Sequence, residues 1–214
     1  MSDIPAYMIV VKDDPASEYY ASITLPEWRD LGYDVEVFDA YTPHRQPEHF
    51  QLNFQPLTSI KYVNRKIKKI ASPTEQGCWN SHAALWLKCI EMQTPIMVLE
   101  HDCYPTQPDY IIYNPKLQFV TFDGTGTGCY VITPRFAKLL WHVINDRKKI
   151  DIGPCGFIHY VQKKYGISDA ILWNADSTMY PCHQLHNNDV GSSISHYNDP
   201  EIQKLANDFG TVER

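Results

Sequence analysis

The segment Pro95-Ile96-Met97-Val98-Leu99-Glu100-His101-Asp102 is an apolar run that ends in two carboxylates one residue apart. It reads as a buried strand of an α/β sheet. Sheets of that class bind ligands beyond the carboxyl ends of their strands, so charge delivered there points at a site. Strand alternation places Glu100 and Asp102 on one face. Mg²⁺ and Mn²⁺ take oxygen ligands, and one or two protein carboxylates usually share the ion with substrate phosphates. The pair therefore suits a divalent cation carrying a phosphorylated ligand. The competing reading is that the two acids open the next turn, where Asp is common and Pro105 follows.

Upstream, Ser72-Pro73-Thr74-Glu75 has the form of a capping box with Pro at the first helical position, and the pattern predicts a helix to about Met92. Cys78, His82, Leu85, Trp86, Cys89 and Ile90 fall on one face of it. The chain opens with a strand at 7–11, then Asp13-Asp14-Pro15 starts a helix that breaks before Pro26 and resumes to about Leu31, with Gly32 as the stop. A second strand covers 34–38, and a loop rich in Pro and His covers 42–56. Strand, helix, strand is how a nucleotide-binding sheet begins. Asp13 and Asp39 stand at strand ends, where they either receive a ribose or base or serve local turns. Asp14 reads as the helix cap.

Thr74-Glu75-Gln76-Gly77-Cys78, Ser81-His82, Trp86 and the run from Pro95 to Asp102 resemble glycosyltransferase family 25, whose Glu-x-Gly-Cys and Ser-His helix precedes an apolar strand ending Glu-Asp-Asp. His101 stands where the family has its middle Asp. Gly126 to Thr133 and Ala137 to Leu140 are similar to the family's next strand and helix, and Asp151 with Pro181 to Ile194 resembles its closing portion more loosely. The resemblance spans roughly residues 7 to 195. It implies an α/β fold, a single GT-A-like domain over 1–196 with a mixed, mostly parallel sheet flanked by helices, and a polar tail at 197–214. The implied activity is transfer of a sugar from a nucleotide-sugar donor to a hydroxyl acceptor, with Mn²⁺ or Mg²⁺ held by Glu100, Asp102 and a late histidine. His183, His186 and His196 are candidates for that third ligand, and His196 is the one taken here. The donor is expected against Val11, Asp13, Asp39, Glu75, Ser81, His82 and His101. Gln184 and Ser193 are expected on the acceptor side. For His82 a hydrogen-bonded structural role competes with a substrate contact.

Inversion at the anomeric carbon requires a base for the acceptor hydroxyl. Asp151, just before Gly153-Pro154 and a helical pattern, is taken as that base, with Glu100 beside the reaction centre; helix capping is the other reading of Asp151. Lys61, Arg65, Lys66, Lys68 and Lys69 form a basic cluster in a chain of net charge -6. Either it is a solvated helix face or it meets a polyanion, which makes Lys66 and Lys68 acceptor contacts. Two acceptors fit the resemblance: a bacterial surface-saccharide precursor, and hydroxymethylated cytosine in phage DNA, suggested by the likeness of 10–20 and 38–43 to small tailed-phage members. Gly124-Thr125-Gly126-Thr127-Gly128 lacks the Lys-Ser/Thr ending of a phosphate loop and reads as a turn before a strand at 129–132. The six cysteines show no Cys-x-x-Cys pair and read as reduced thiols. With neither a signal-peptide pattern at the start nor a run of membrane-spanning length, a cytoplasmic protein is expected. A nucleotide-sugar or saccharide binding module without turnover is the alternative, and a metal hydrolase leaves the Ser-His helix unexplained.

Overall fold

The computed structural model describes residues 4–54, 56–62, 65–70, 73–106, 117–123, 127–147, 150, 153–167, 170–171 and 182–184. The chain runs β1 (Ala6–Val10), α1 (Pro15–Asp30), β2 (Val35–Asp39), β3 (Pro56–Tyr62), β4 (Arg65–Ile70), α2 (Pro73–Met92), β5 (Ile96–Glu100), β6 (Cys103–Pro105), β7 (Phe119–Thr121), β8 (Cys129–Ile132), α3 (Pro134–Arg147), α4 (Pro154–Tyr165), β9 (Ala170–Ile171) and β10 (Cys182–Gln184). Six strands form one sheet in the order β2-β1-β5-β8-β7-β9. β1 is parallel to β2 and β5, β8 is antiparallel to β5 and β7, and β9 is parallel to β7. Five strands thus point one way and β8 the other, which is the mixed, mostly parallel sheet expected.

Both faces of the sheet are covered, and the side chains sort by parity. Tyr7 and Ile9, Ile96 and Val98, and Tyr130 and Ile132 enter a core with α2, α3 and α4, built on Trp79, Trp86, Phe136 and Phe157. Ala6, Met8 and Val10, Met97 and Leu99, and Cys129 and Val131 enter a second core with Ala21 and Trp28 of α1. This period of two, buried on both sides, is why the strands read as continuous apolar runs. By the same parity Glu100 leaves the end of β5 on the side of α2.

Three expectations need correction. The first helix does not break: α1 is continuous through Pro26. Proline removes one backbone hydrogen bond from a helix, but buried Tyr20, Thr24 and Trp28 anchor α1 on both sides of it. The Thr24 hydroxyl donates to the His101 carbonyl at 2.6 Å and the Trp28 indole N–H to the Cys103 carbonyl at 2.8 Å. The basic cluster is no helix face. It lies on the antiparallel hairpin β3–β4, with Lys61 opposite Lys66 and Thr58 opposite Lys68. Finally, β5 ends at Glu100 and residues 101–102 form a turn into β6, so strand alternation does not carry from Glu100 to Asp102. The N-cap of α4 is Gly153, and Asp151 itself lies outside the described residues. Among the described residues no helix is long and apolar enough to cross a membrane.

Candidate active site

Beyond the carboxyl ends of β1 and β5 lies a cleft with about 610 Å³ of open space, lined by Ile9, Val11 and Asp14, by Ala40 to Pro43, by Thr74, Cys78, Ser81 and His82 of α2, and by Glu100 and His101. Helical spacing explains the α2 wall: 74, 78, 81 and 82 recur on one face at intervals of three and four. Deeper on the same helix, Leu85, Trp86 and Cys89 are fully buried in the core.

The wall at 41–43 is fastened to α2 by backbone approach. A Cβ built on Gly77 meets the Tyr41 carbonyl oxygen at 2.5 Å, so only glycine fits there. Ser81, fully buried, donates to the Gly77 carbonyl at 2.8 Å and accepts from the Tyr41 amide at 2.9 Å. Its hydroxyl therefore shapes the cleft rather than awaiting a ligand. Asp14 caps α1, accepting from the Ala16 and Ser17 amides at 2.9 and 3.0 Å, and the Val11 amide donates to Ser17 Oγ at 2.8 Å.

Glu100 sits at the floor, at the end of a buried chain of donors. The Trp86 indole N–H donates to Tyr130 Oη at 3.0 Å, Tyr130 Oη lies 2.9 Å from His82 Nδ1, and His82 Nε2 lies 3.4 Å from Glu100 Oε1. Trp86 can only donate, so the Tyr130 hydrogen turns to His82 Nδ1 and the imidazole proton sits on Nε2, facing the carboxylate. Burial pushes Glu100 up, but the His82 hydrogen bond, favourable electrostatic interactions with His82 and His101 and a hydrogen bond from Thr127 outweigh it and hold the carboxyl below its ordinary value. Glu100 is thereby kept ionised. Burial keeps Tyr130 protonated by pushing its hydroxyl well up. It likewise raises the Cys78 thiol far from neutral pH, so the one cysteine on the α2 wall is no ready nucleophile. On the other side, the Glu100 amide donates to the Gly128 carbonyl at 2.7 Å, and Asp123 accepts from the Gly128 amide at 2.6 Å and the Thr121 hydroxyl at 2.7 Å.

Of the residues singled out in the sequence, Val11, Ser81, His82, Glu100 and His101 come together on the cleft. His101 is 8% exposed and packs against the Tyr20 ring at 6.2 Å. Asp102 is 4% exposed in the turn beside it and does not line the cleft. Asp13, Asp39 and Glu75 also stand off the lining; Asp39 is paired with Arg45 at 2.8 Å. Lys66 and Lys68 lie on β4 and Gln184 on β10. Asp151, Ser193 and His196 lie outside the described residues, as do His186 and the tail at 197–214. Sequence reasoning missed Asp14, Thr74, Cys78 and the 41–43 wall as lining residues, and Tyr130 as the group that fixes His82. The α2 members were visible as helical phase; the others meet the cleft only through the fold.

As for a divalent cation, Glu100 offers an ionised carboxylate on the cleft floor, the oxygen chemistry that Mg²⁺ and Mn²⁺ take, while Asp102, two residues on, is buried in the turn and does not line the cleft. Among the described residues no third His, Cys, Asp or Glu completes a close ligand group with them.

Residues 24–108 match the family model described as glycosyltransferase family 25 (LPS biosynthesis protein). No curated protein matches. Among solved structures, one described as the crystal structure of a glycosyltransferase involved in the glycosylation of the major capsid of PBCV-1 is similar over 66% of this chain and 68% of that chain, at 12% identity and a TM-score of 0.36. The family match supports glycosyltransferase activity for this chain. All the cleft residues except Ile9, Val11 and Asp14 fall inside the matched segment.

Proposed function

From the match of residues 24–108 to glycosyltransferase family 25, we propose that this protein transfers a sugar from a nucleotide-sugar donor to a hydroxyl acceptor, with the donor in the cleft between β1, β5 and α2. The observation that carries the reading is the coincidence of the matched segment with the walls of that cleft. A GT-A-like arrangement is supported by the parallel β2-β1-β5 half of the sheet leading into it.

Glu100 and Asp102 would hold Mn²⁺ or Mg²⁺, which when bound neutralises charge on a diphosphate leaving group. The chain's own residues do the rest. His82 keeps Glu100 ionised and oriented through its Nε2 proton, Tyr130 and Trp86 fix the tautomer that makes this possible, and the apolar wall of Ile9, Val11 and Ala40 sheds water from the donor. Asp151 is proposed as the base for the acceptor hydroxyl, on its place in sequence just before α4. His196 is proposed as a third ligand on the family resemblance alone, as are Asp13, Asp39 and Glu75 toward the donor.

For the acceptor we propose a hydroxyl on an anionic carrier, with Gln184 and Ser193 beside it. The support is the β3–β4 register, which sets Lys61 directly across from Lys66. The basic run of Lys61, Arg65, Lys66, Lys68 and Lys69 on these strands suits a polyanion. A lipid-diphosphate-linked saccharide and hydroxymethylated DNA both have that charge. Incubation with nucleotide sugars and Mn²⁺, with release of the nucleoside diphosphate followed by mass spectrometry, tests the transfer; donors that bind but stay intact mean a binding module instead. Supplying hydroxymethylated duplex and lipid-linked saccharide in parallel separates the two acceptors.

A further inference from the structure

We propose that Cys103, Cys129 and Cys182 form a thiolate site for a thiophilic d¹⁰ cation, Zn²⁺ or Cu⁺, which ties β10 to β6 and β8. The three sulfur atoms all lie within 4.8 Å of one another, and all three residues are fully buried. They come from strands far apart in sequence and meet in the second core, under α1 and on the other side of the sheet from His82 and Tyr130. Soft sulfur ligands select Zn²⁺ and Cu⁺ over the hard oxygen-seeking ions expected at Glu100 and Asp102. Zn–S bonds of about 2.3 Å set sulfurs on one ion roughly 3.8 Å apart, so small side-chain rotations bring this trio to bonding distance.

The backbone around the trio is held in place before any ion arrives. The Cys103 carbonyl accepts from Trp28 at 2.8 Å. The Cys129 carbonyl accepts from the Phe122 amide at 2.9 Å, and the Cys182 amide donates to the Phe122 carbonyl at 3.1 Å, so Phe122 bridges two of the ligands. A disulfide is the weaker reading of the β6–β10 pair. Cys182 lies opposite Pro105, and Cys103 lies opposite Gln184, which makes the two cysteines diagonal neighbours. Diagonal Cα atoms on an antiparallel ladder are about 7–8 Å apart, beyond the reach of a relaxed disulfide. On binding, each thiol gives its proton to solvent as its sulfur–metal bond forms, and no electron is transferred. β6 follows directly on Asp102, so the ion would fix the exit of the Glu100–Asp102 turn from below. The site stands on its own geometry and not on the transferase reading.

The test is metal analysis of the full chain, purified without chelator and under reducing conditions. About one equivalent of zinc or copper per chain, retained through gel filtration, is the expected result for a structural thiolate site, and the element found identifies the ion. Co²⁺ loaded into stripped protein should give a sulfur-to-cobalt charge-transfer band that is lost in Cys129→Ser and Cys182→Ser and kept in Cys155→Ser. Stripping should lower the Tm of the wild type and reloading should restore it. A wild type that holds neither zinc nor copper and gives no thiolate band with Co²⁺ overturns the proposal and leaves three packed core thiols. Should the serine variants fail to fold, the wild-type content and spectrum still decide.

Discussion

Replacing His82 with leucine removes the one side chain that links Tyr130 to Glu100 in the buried donor chain. Leucine fills much of the same volume, so the loss is polar rather than a large cavity. Two groups each lose a partner: the Tyr130 hydroxyl loses its acceptor, His82 Nδ1 at 2.9 Å, while keeping the bond from Trp86, and Glu100 Oε1 loses its contact at 3.4 Å. An unsatisfied buried hydroxyl costs about 1–3 kcal/mol, and a hydrogen bond to a charged group is worth about 1.5–3 kcal/mol. Because Glu100 is a quarter exposed, water recovers part of its share. The net expectation at neutral pH is a loss of about 2–4 kcal/mol, or about 4–16 °C in Tm for a chain of this size.

The pH dependence carries a sign. In the wild type the Glu100 carboxyl is held below its ordinary value, so its stabilising share is present above the unfolded carboxylate value of about 4.3 and is lost as pH falls through the folded one. In His82→Leu, burial is no longer outweighed by His82 and the Glu100 carboxyl rises. The gap between wild type and variant should therefore be widest near neutral pH and narrow below about pH 4. Chemical denaturation at a series of pH values reads it. A gap under about 0.5 kcal/mol at pH 7, where surface substitutions fall, or one that does not change with pH, would refute the relay.

Gly77→Ala forces a Cβ to 2.5 Å from the Tyr41 carbonyl oxygen; we expect a loss of about 1–3 kcal/mol in denaturant melts together with weaker donor binding, because the 41–43 wall must move. Intact donor affinity beside a normal melt would show that the wall is not fastened there. Thr24→Val removes the 2.6 Å bond to the His101 carbonyl while keeping the shape, and should cost about 1–3 kcal/mol; unchanged stability would mean that α1 does not hold the Glu100–Asp102 turn.

Much of the scaffold is legible in the residues because its strands are buried on both faces and its helices carry local signals. Asp14-Pro15 and Pro73 start helices where they should, Gly32 at φ +84° stops one, and the run to Glu100 ends where the ligand cleft begins. What is not legible comes from contacts between distant segments. Pro26 reads as a break because the bonds from Thr24 and Trp28 to the 101–103 backbone have no sequence signature. Glu100 and Asp102 read as one face because the turn at 101–102 is decided by β6 and α1, not by the run itself. The β3–β4 hairpin is hidden in a charge run whose period is neither clearly two nor 3.6. Tyr130 becomes part of the site only when β8 pairs with β5, and the cysteine trio only when β10 pairs with β6. The match to the family model ends at residue 108, so the assignment of Asp151 rests on position in the chain.

The measurement that bears most directly on the account is donor cleavage by the wild type and by Glu100→Gln across a panel of nucleotide sugars with Mn²⁺, each protein's melting curve recorded alongside. The account expects the wild type to release the nucleoside diphosphate from at least one donor and the variant to lose roughly 10²-fold or more of that rate while still folding and melting cooperatively. Equal turnover by the two proteins would contradict the claim that the carboxylate at the end of β5 serves the reaction.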